Sequence, residues 1–278
     1  MLSLIVTWRD RDELVRALPS MVVAAESVEG ELVIVNFGGD AQRLDTQLEG
    51  FAGRVRVIAG PPQRYFHKAV ANNIGAHFAR YPLLFFCDCD IILPEGLVAK
   101  LVQRLDTSPG HFATLAGVRE TETNSRGGRH VVSFGYQLDI KTADGRRLRI
   151  VDNEEDANDG TRQAPGLLLV RKDDFLRIDG YNGQLHGWGW EDQDMISRLT
   201  LGAGLTRINE GHALHISHDD DGRIAAYPPV SSRWESRDRM FRTALANYDD
   251  ANFMGSFSVD TATHADFADS AMVDKVVA

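Results

Sequence analysis

The sequence predicts an α/β fold, a mostly parallel central sheet with helices on both faces. Three observations carry this reading. Short, wholly apolar runs recur through the first half, segments with helical spacing separate them, and polar or glycine-rich turns stand where the runs end. A strand that is apolar along its whole length is buried on both faces, which is the pattern of parallel strands covered by helices.

Residues 2–7 form the first apolar run, and residues 11–21 follow with Leu14, Val15 and Leu18 at helical spacing. Residues 31–35 read as the second strand, ending in the turn Asn36-Phe-Gly-Gly-Asp40. Residues 54–58 form a third, stopped by Gly60-Pro61-Pro62. A helix is expected over residues 65–79 and a fourth strand over 83–87. Ligands of such sheets bind at the carboxyl ends of the strands, which puts residues 7–11, 36–40 and 88–90 on one rim. The second half changes character. Residues 119–130 and 152–163 are polar and glycine-containing and read as mobile loops, with a buried strand over 166–170 and a helical segment over 173–178. A loop rich in glycine and tryptophan then feeds a helix over 191–201, in which Asp194 and Arg198 are spaced as a surface i,i+4 pair. Beyond Tyr248 come several Asp, one Lys and many small residues, so that segment is expected to be loosely held or docked late.

Composition sets the outer bounds. The 278 residues are 43% hydrophobic and 25% charged, as in ordinary globular chains. A net charge of −10 argues against nucleic acid as a partner, because phosphate contacts need clustered Lys and Arg. Cys87 and Cys89 are too close to staple a fold and read as small buried hydrophobes. No run approaches the roughly 20 apolar residues of a membrane span, and the N-terminus lacks the pattern of a signal peptide. A soluble, cytoplasmic protein is therefore expected.

Three constellations carry chemistry. Asp88-Cys-Asp90 follows an apolar strand, and residues i and i+2 of an extended segment point the same way. Two such carboxylates repel unless a cation joins them, and hard oxygen ligands with free coordination positions suit Mn²⁺ or Mg²⁺ carrying a diphosphate. His186-Gly-Trp-Gly-Trp-Glu-Asp192 sets two Trp between glycines before acids at a helix start. Helix capping accounts for the acids; it leaves the Trp unexplained, whereas aromatic planes on a hinged loop suit stacking on a sugar ring. A carboxylate at the loop–helix junction is placed to deprotonate an acceptor hydroxyl. Finally, His212, His215 and His218 precede Asp219, Asp220 and Asp221, and imidazoles at the spacing of His215 and His218 reach one ion. A hydrolytic zinc site is the competing reading, without an H-E-x-x-H or Cys-rich pattern to support it.

In order, Thr7-Trp-Arg-Asp-Arg11, Asn36-Phe-Gly-Gly-Asp40, Phe66-His-Lys-Ala with Asn73-Ile-Gly75, Phe86-Cys-Asp-Cys-Asp90, Gly187-Trp-Gly-Trp-Glu-Asp192 and His215-Ile-Ser-His218 resemble glycosyltransferases of the GT-A fold. The likeness is to the β-1,4-galactosyltransferase group and the bacterial chondroitin-polymerase type of transferase domain, and it spans roughly residues 2–220. The resemblance implies a metal-dependent inverting transfer of a hexose, galactose or an N-acetylhexosamine, from a UDP-sugar to the hydroxyl of a saccharide, glycolipid, or glycosylated small molecule or protein. Trp8, Arg9 and Arg11 would hold uridine and diphosphate, Phe66 would pack on uracil, Asp88 would contact the nucleotide and Trp188 the donor. Asp90, His218 and His215 would bind Mn²⁺, with Mg²⁺ as second candidate, and Glu191 and Asp192 would line the acceptor side with Asp192 as base. Residues 1–248 would form one domain, with a nucleotide-binding half (1–93) and an acceptor and metal half (94–248), followed by an acidic tail (249–278). Two departures stand out: Trp190 occupies a position that is usually glycine, and His215 one that is often Met. The alternatives are a retaining transferase on the same fold, or a non-catalytic module that binds nucleotide sugar or carbohydrate.

Overall fold

The computed structural model describes residues 1–122, 130–219, 222 and 224–270. One sheet organises the chain, with strand order β12-β3-β2-β1-β4-β9-β6-β11-β5 and β10 (Thr206–Asn209) added beside β6. The expected strands form β1 (Leu2–Trp8), β2 (Glu31–Asn36), β3 (Val55–Ala59) and β4 (Leu83–Asp88), all mutually parallel, with β1 between β2 and β4. Every residue of β1 is buried, so both faces of the sheet are covered, as wholly apolar strands require. On one face lie α1 (Leu14–Glu26) and α4 (Leu97–Asp106), and on the other α3 (Lys68–Phe78), α5 (Lys172–Arg177) and α6 (Glu191–Ser197). α2 (Ala41–Gln47) begins at Asp40, whose side chain accepts from Arg43 N–H as an N-cap.

α1 starts three residues later than the spacing predicts. Asp10 has φ 53°, which breaks the chain direction and leaves Arg11 in a loop at the end of β1. β9 (Thr161–Arg171) is longer than the buried core 166–170, and it runs antiparallel between β4 and β6 (His111–Glu120). The two segments read as mobile loops overlap strand ends, while residues 121–122, 130 and 154–160 lie outside any strand and β9 opens at Thr161. Arg119 and Glu120 finish β6, while Asp152 and Asn153 finish β8 (Arg147–Asn153), which forms a two-stranded hairpin with β7 (Gly135–Lys141). Residues 123–129 of the first segment lie outside the described residues, as do Asp220 and Asp221.

After α6 the helix relaxes into a π turn, Arg198–Gly202. The Asp194–Arg198 pair expected on the surface is buried instead: Arg198 Nε donates to Asp194 at 2.7 Å, and Tyr248 donates to the same carboxylate at 2.9 Å. Spacing gave the pair but not its setting, because α7 (Arg233–Asp249) and its Tyr248 cover it. Past Tyr248 the chain is docked rather than loose, as far as residue 270. α8 (Phe257–Thr263) packs on α3, Asn73 donates to Asp260 at 2.7 Å, and β12 (Ala268–Asp269) pairs antiparallel with β3.

Candidate active site

A cavity of about 680 Å³ opens at the carboxyl ends of β1 and β4, a size suited to a nucleotide-sized ligand. Its walls come from both halves of the chain, and two clusters face each other across it.

The first cluster gathers on Asp90. β4 ends at Asp88, and Cys89 and Asp90 form a turn, so strand alternation no longer governs the second carboxylate. Asp88 and Asp90 both line the cavity, yet they serve different clusters instead of facing one point. After the turn, β5 (Ile91–Ile92) pairs antiparallel with β11 (His212–His215), which sets His215 against Ile91 and lets Ile216 N–H donate to the Asp90 carbonyl at 2.8 Å. That register delivers both late histidines: Asp90 Oδ2 lies 3.5 Å from His215 Nε2 and 3.2 Å from His218 Nε2. His212, at the other end of β11, is exposed and takes no part.

β11 also runs parallel to β6 and places His215 opposite Glu120. His215 Nδ1–H donates to Glu120 at 2.7 Å, Arg162 and Ser217 donate to the same carboxylate, and the Nε2 of His215 is left facing Asp90. An imidazole held through one nitrogen by a carboxylate presents the other as a ligand. Burial works against ionisation of Glu120, but its bonds with His215 and Arg162 outweigh this and hold it down at about 2. Burial likewise opposes the Asp90 carboxylate, and His215, His218 and Arg11 together keep it well below the ordinary range.

These residues fit a divalent cation. One ligand atom each from Asp90, His215 and His218 lies within 4.8 Å of the others. Asp90 Oδ1 is buried without a hydrogen-bond partner among the described residues, so an acceptor is left over for an ion. One carboxylate and two imidazoles suit a first-row transition metal better than a calcium-type, all-oxygen cage.

The second cluster gathers on Lys68, a residue whose role the sequence motifs alone do not show. Its ammonium lies 2.8 Å from Asp88, 2.9 Å from Asp192 Oδ2 and 3.5 Å from Glu191. Burial disfavours the charge, but Asp192, Asp88 and Glu191 outweigh it and hold Lys68 cationic. Burial raises Glu191 to about 7, with Asp192 adding to the effect, and it raises Asp192 as well despite Lys68. Asp192 Oδ1 and Glu191 Oε2 are buried without hydrogen-bond partners among the described residues. β9 can pass this close only through glycine, since a Cβ on Gly166 would sit 2.5 Å from Asp192 Oδ2. The signal for Lys68 was a lone basic residue opening a helix in Phe66-His-Lys; its meaning needs three carboxylates from two distant segments.

The remaining expected residues divide. Arg9, Arg11, Phe66 and Trp188 line the cavity. Arg9 Nη1 is a buried donor without a partner among the described residues, and Arg11 lies 3.4 Å from Asp90. Phe66 stands edge-on to Phe37 and Tyr227. Trp8 is not brought to the cavity: it is fully buried, its Nε1–H donates to the Arg11 carbonyl at 2.9 Å, and it shapes the loop that carries Arg11. Trp190 is a core residue, not an exposed plane, packed edge-on to Phe241 at 4.6 Å. It has φ 72°, the left-handed conformation that glycine adopts freely.

The model of glycosyl transferase family 2 matches residues 3–161, more than half of the chain. The chain belongs to glycosyl transferase family 2. A model described as the N-terminal domain of galactosyltransferase matches residues 149–219 of this family 2 glycosyltransferase, the stretch that holds Asp192, His215 and His218. Among named relatives, polypeptide N-acetylgalactosaminyltransferase 3 of Drosophila melanogaster is 23% identical over 68% of this chain and 30% of its own length. Beta-1,4-galactosyltransferase 2 of Mus musculus is 25% identical over 60% of this chain and 37% of its own. The chain thus spans about a third of the curated relatives it matches. Crystal structures of S. aureus TarS share the fold: residues 1–349 superpose with a TM-score of 0.53 at 14% identity, covering 77% of this chain and 60% of that one. The architecture is the GT-A fold. Among the described residues no helix is long and apolar enough to cross a membrane.

Proposed function

We propose that the chain catalyses inverting transfer of a hexose, galactose or an N-acetylhexosamine, from a UDP-sugar to an acceptor hydroxyl. The acceptor is a saccharide, a glycolipid, or a glycosylated small molecule or protein. The names of the relatives, which specify galactosyl and N-acetylgalactosaminyl transfer, support this range of donors. One observation carries the reaction. Asp192 is held by Lys68 through Oδ2, while Oδ1 is buried, unpartnered among the described residues and on the cavity wall. This is the geometry of a general base with one oxygen fixed and one free for a proton.

In this reading Asp192 takes the proton of the acceptor hydroxyl as that oxygen attacks the face of the sugar opposite the diphosphate. Lys68 keeps Asp192 ionised in a buried setting that would otherwise favour the acid. Arg9 and Arg11 contact the diphosphate, Phe66 packs against the base, Asp88 contacts the nucleotide, and Trp188 covers the donor and excludes water. Asp90, His215 and His218 would hold Mn²⁺, or Mg²⁺ in its place, and the ion would stabilise the charge of the departing diphosphate.

Asp192→Asn removes the proton acceptor and keeps the shape. Transfer should fall by about 100-fold or more, while UDP in the presence of Mn²⁺ stabilises wild type and variant alike in a thermal-shift assay. A fully active variant refutes the assignment, and a product that retains the donor's anomeric configuration by NMR points to the retaining reading.

A further inference from the structure

Outside the cavity mouth lies a group of side chains that none of these roles uses. Phe134, Tyr136 and Trp234 are large aromatics left 43%, 42% and 43% exposed. Phe134 and Tyr136 come from the hairpin region before and within β7, and Trp234 from the first turn of α7. The rings of Phe134 and Trp234 have centroids 6.2 Å apart. Two arginines are threaded among them: Arg233 lies over Trp234 at 4.5 Å and over Trp188 at 5.7 Å, while Arg237 lies over Tyr136 at 5.1 Å and over Trp234 at 5.6 Å. The aromatic row is therefore continuous with the cavity through Trp188, and Arg233 and Arg237 themselves line that cavity.

The charges among the rings are paired. Arg233 donates to Glu154 at 2.8 Å, and Arg237 donates to Glu154 at 3.2 Å as well as to Asp152. Cation–π contact and ion pairing together hold the planes at fixed attitudes. A surface built for an anionic membrane presents cations without acid partners, and on this ledge both arginines carry acid partners. Flat apolar planes edged by hydrogen-bonding groups match instead a ligand with one apolar face and a rim of hydroxyls, which is the description of a pyranose ring.

We propose that Phe134, Tyr136 and Trp234, braced by Arg233 and Arg237, form a carbohydrate-binding ledge for the outer rings of an oligosaccharide acceptor. Its terminal ring enters the cavity past Trp188. The assignment rests on the acceptor-side reading of that cavity, and it narrows the acceptor to one carrying at least two sugars.

Wild type, Trp234→Ala, Phe134→Ala and Trp234→Phe are compared for retention on a printed array of neutral oligosaccharides and monosaccharides. In parallel, UDP with Mn²⁺ is read by thermal shift, and sedimentation with anionic phosphatidylglycerol vesicles is measured. Wild type should retain a set of oligosaccharides in preference to their monosaccharides. Each alanine variant should lose about 10-fold of that retention, the size of one ring contact. Trp234→Phe should keep most of it, and UDP should stabilise all four proteins equally. The ledge is overturned if no oligosaccharide is retained, if the alanine variants retain the same set undiminished, or if vesicles are bound in place of glycans. A missing UDP shift in wild type counts against the transferase reading, and loss of glycan retention in the variants still supports the ledge in that case.

Discussion

At the level of single residues, burial decides which carboxyls of the site carry charge. Glu191 is the clearest case. It is buried beside Asp192, so the folded protein keeps a proton on it up to about 7, whereas the unfolded chain releases that proton near 4.5. Stability from this group is therefore greatest below 4.5 and is lost as pH rises through about 7. Glu191→Gln removes the titration: between about pH 5 and about pH 8 its melting temperature should decline less than that of wild type. Equal slopes for the two proteins would show that Glu191 is already ionised at neutral pH. How much of the site could be read in advance depended on whether a residue's role is local. Asp90, His215 and His218 were legible because acids at a strand end and imidazoles three apart are few and chemically specific. Trp8 was not, since an aromatic after a strand reads the same whether it faces solvent or core, and here it faces the core. Trp190 shows the same limit. Its left-handed backbone costs about 1–2 kcal/mol, and a ring buried against Phe241 offsets that cost, but the sequence shows neither term.

Among elements, β1, β2 and β4 were legible because a strand buried on both faces reads as a nearly continuous apolar run, and the half-buried β3, with Arg56 inside it, because Gly60-Pro61-Pro62 marks its end. The β7–β8 hairpin was not: β7 is mostly exposed on both sides, and its residues resemble a loop until the paired strand is known. The segment past Tyr248 misled for another reason. Its small and acidic residues look unsuited to a core, yet Phe267 is buried and stacks on Phe37 with centroids 5.6 Å apart, while β12 covers the edge of β3. Phe37 in turn meets Phe66 edge-on at 6.2 Å, so the C-terminal segment buttresses a wall of the cavity. Phe267→Ala should cost about 3–5 kcal/mol of stability in denaturant titration, and it should weaken UDP binding as Phe66 loses support. Destabilisation with unaltered UDP affinity would confine the segment to a structural role. The loop 180–190 is tied down in a comparable way. His67 and His186 stack with centroids 4.1 Å apart, and the His67 Nε2–H donates to the Gly183 carbonyl at 2.9 Å.

For the molecule as a whole, the net charge of −10 is not spread evenly. Of the acids that face the cavity, Asp88, Glu191 and Asp192 gather on Lys68, and Asp90 stands with two imidazoles, where a ligand that arrives with a cation is better suited than a bare phosphate. Interior and site therefore draw on the same central strand: β4 lies between β1 and β9, and its last residues lead directly into the Asp90 cluster. Cys87 and Cys89 stand at that junction, both buried, and burial pushes their thiols well above the ordinary value. Cys89, in the turn, lines the cavity, whereas the Cys87 thiol lies within β4 and cannot meet an alkylating reagent as a thiolate while the centre of the sheet stays closed. Cys87 is thus a built-in chemical clock. Iodoacetamide carbamidomethylation at this residue, followed by mass spectrometry, should proceed only as fast as the sheet opens, accelerate in step with added denaturant, and slow when UDP and Mn²⁺ hold the rim shut. Rapid modification of Cys87 in the native protein would mean that the strand bearing the acids of the site breathes on its own, ahead of the rest of the fold.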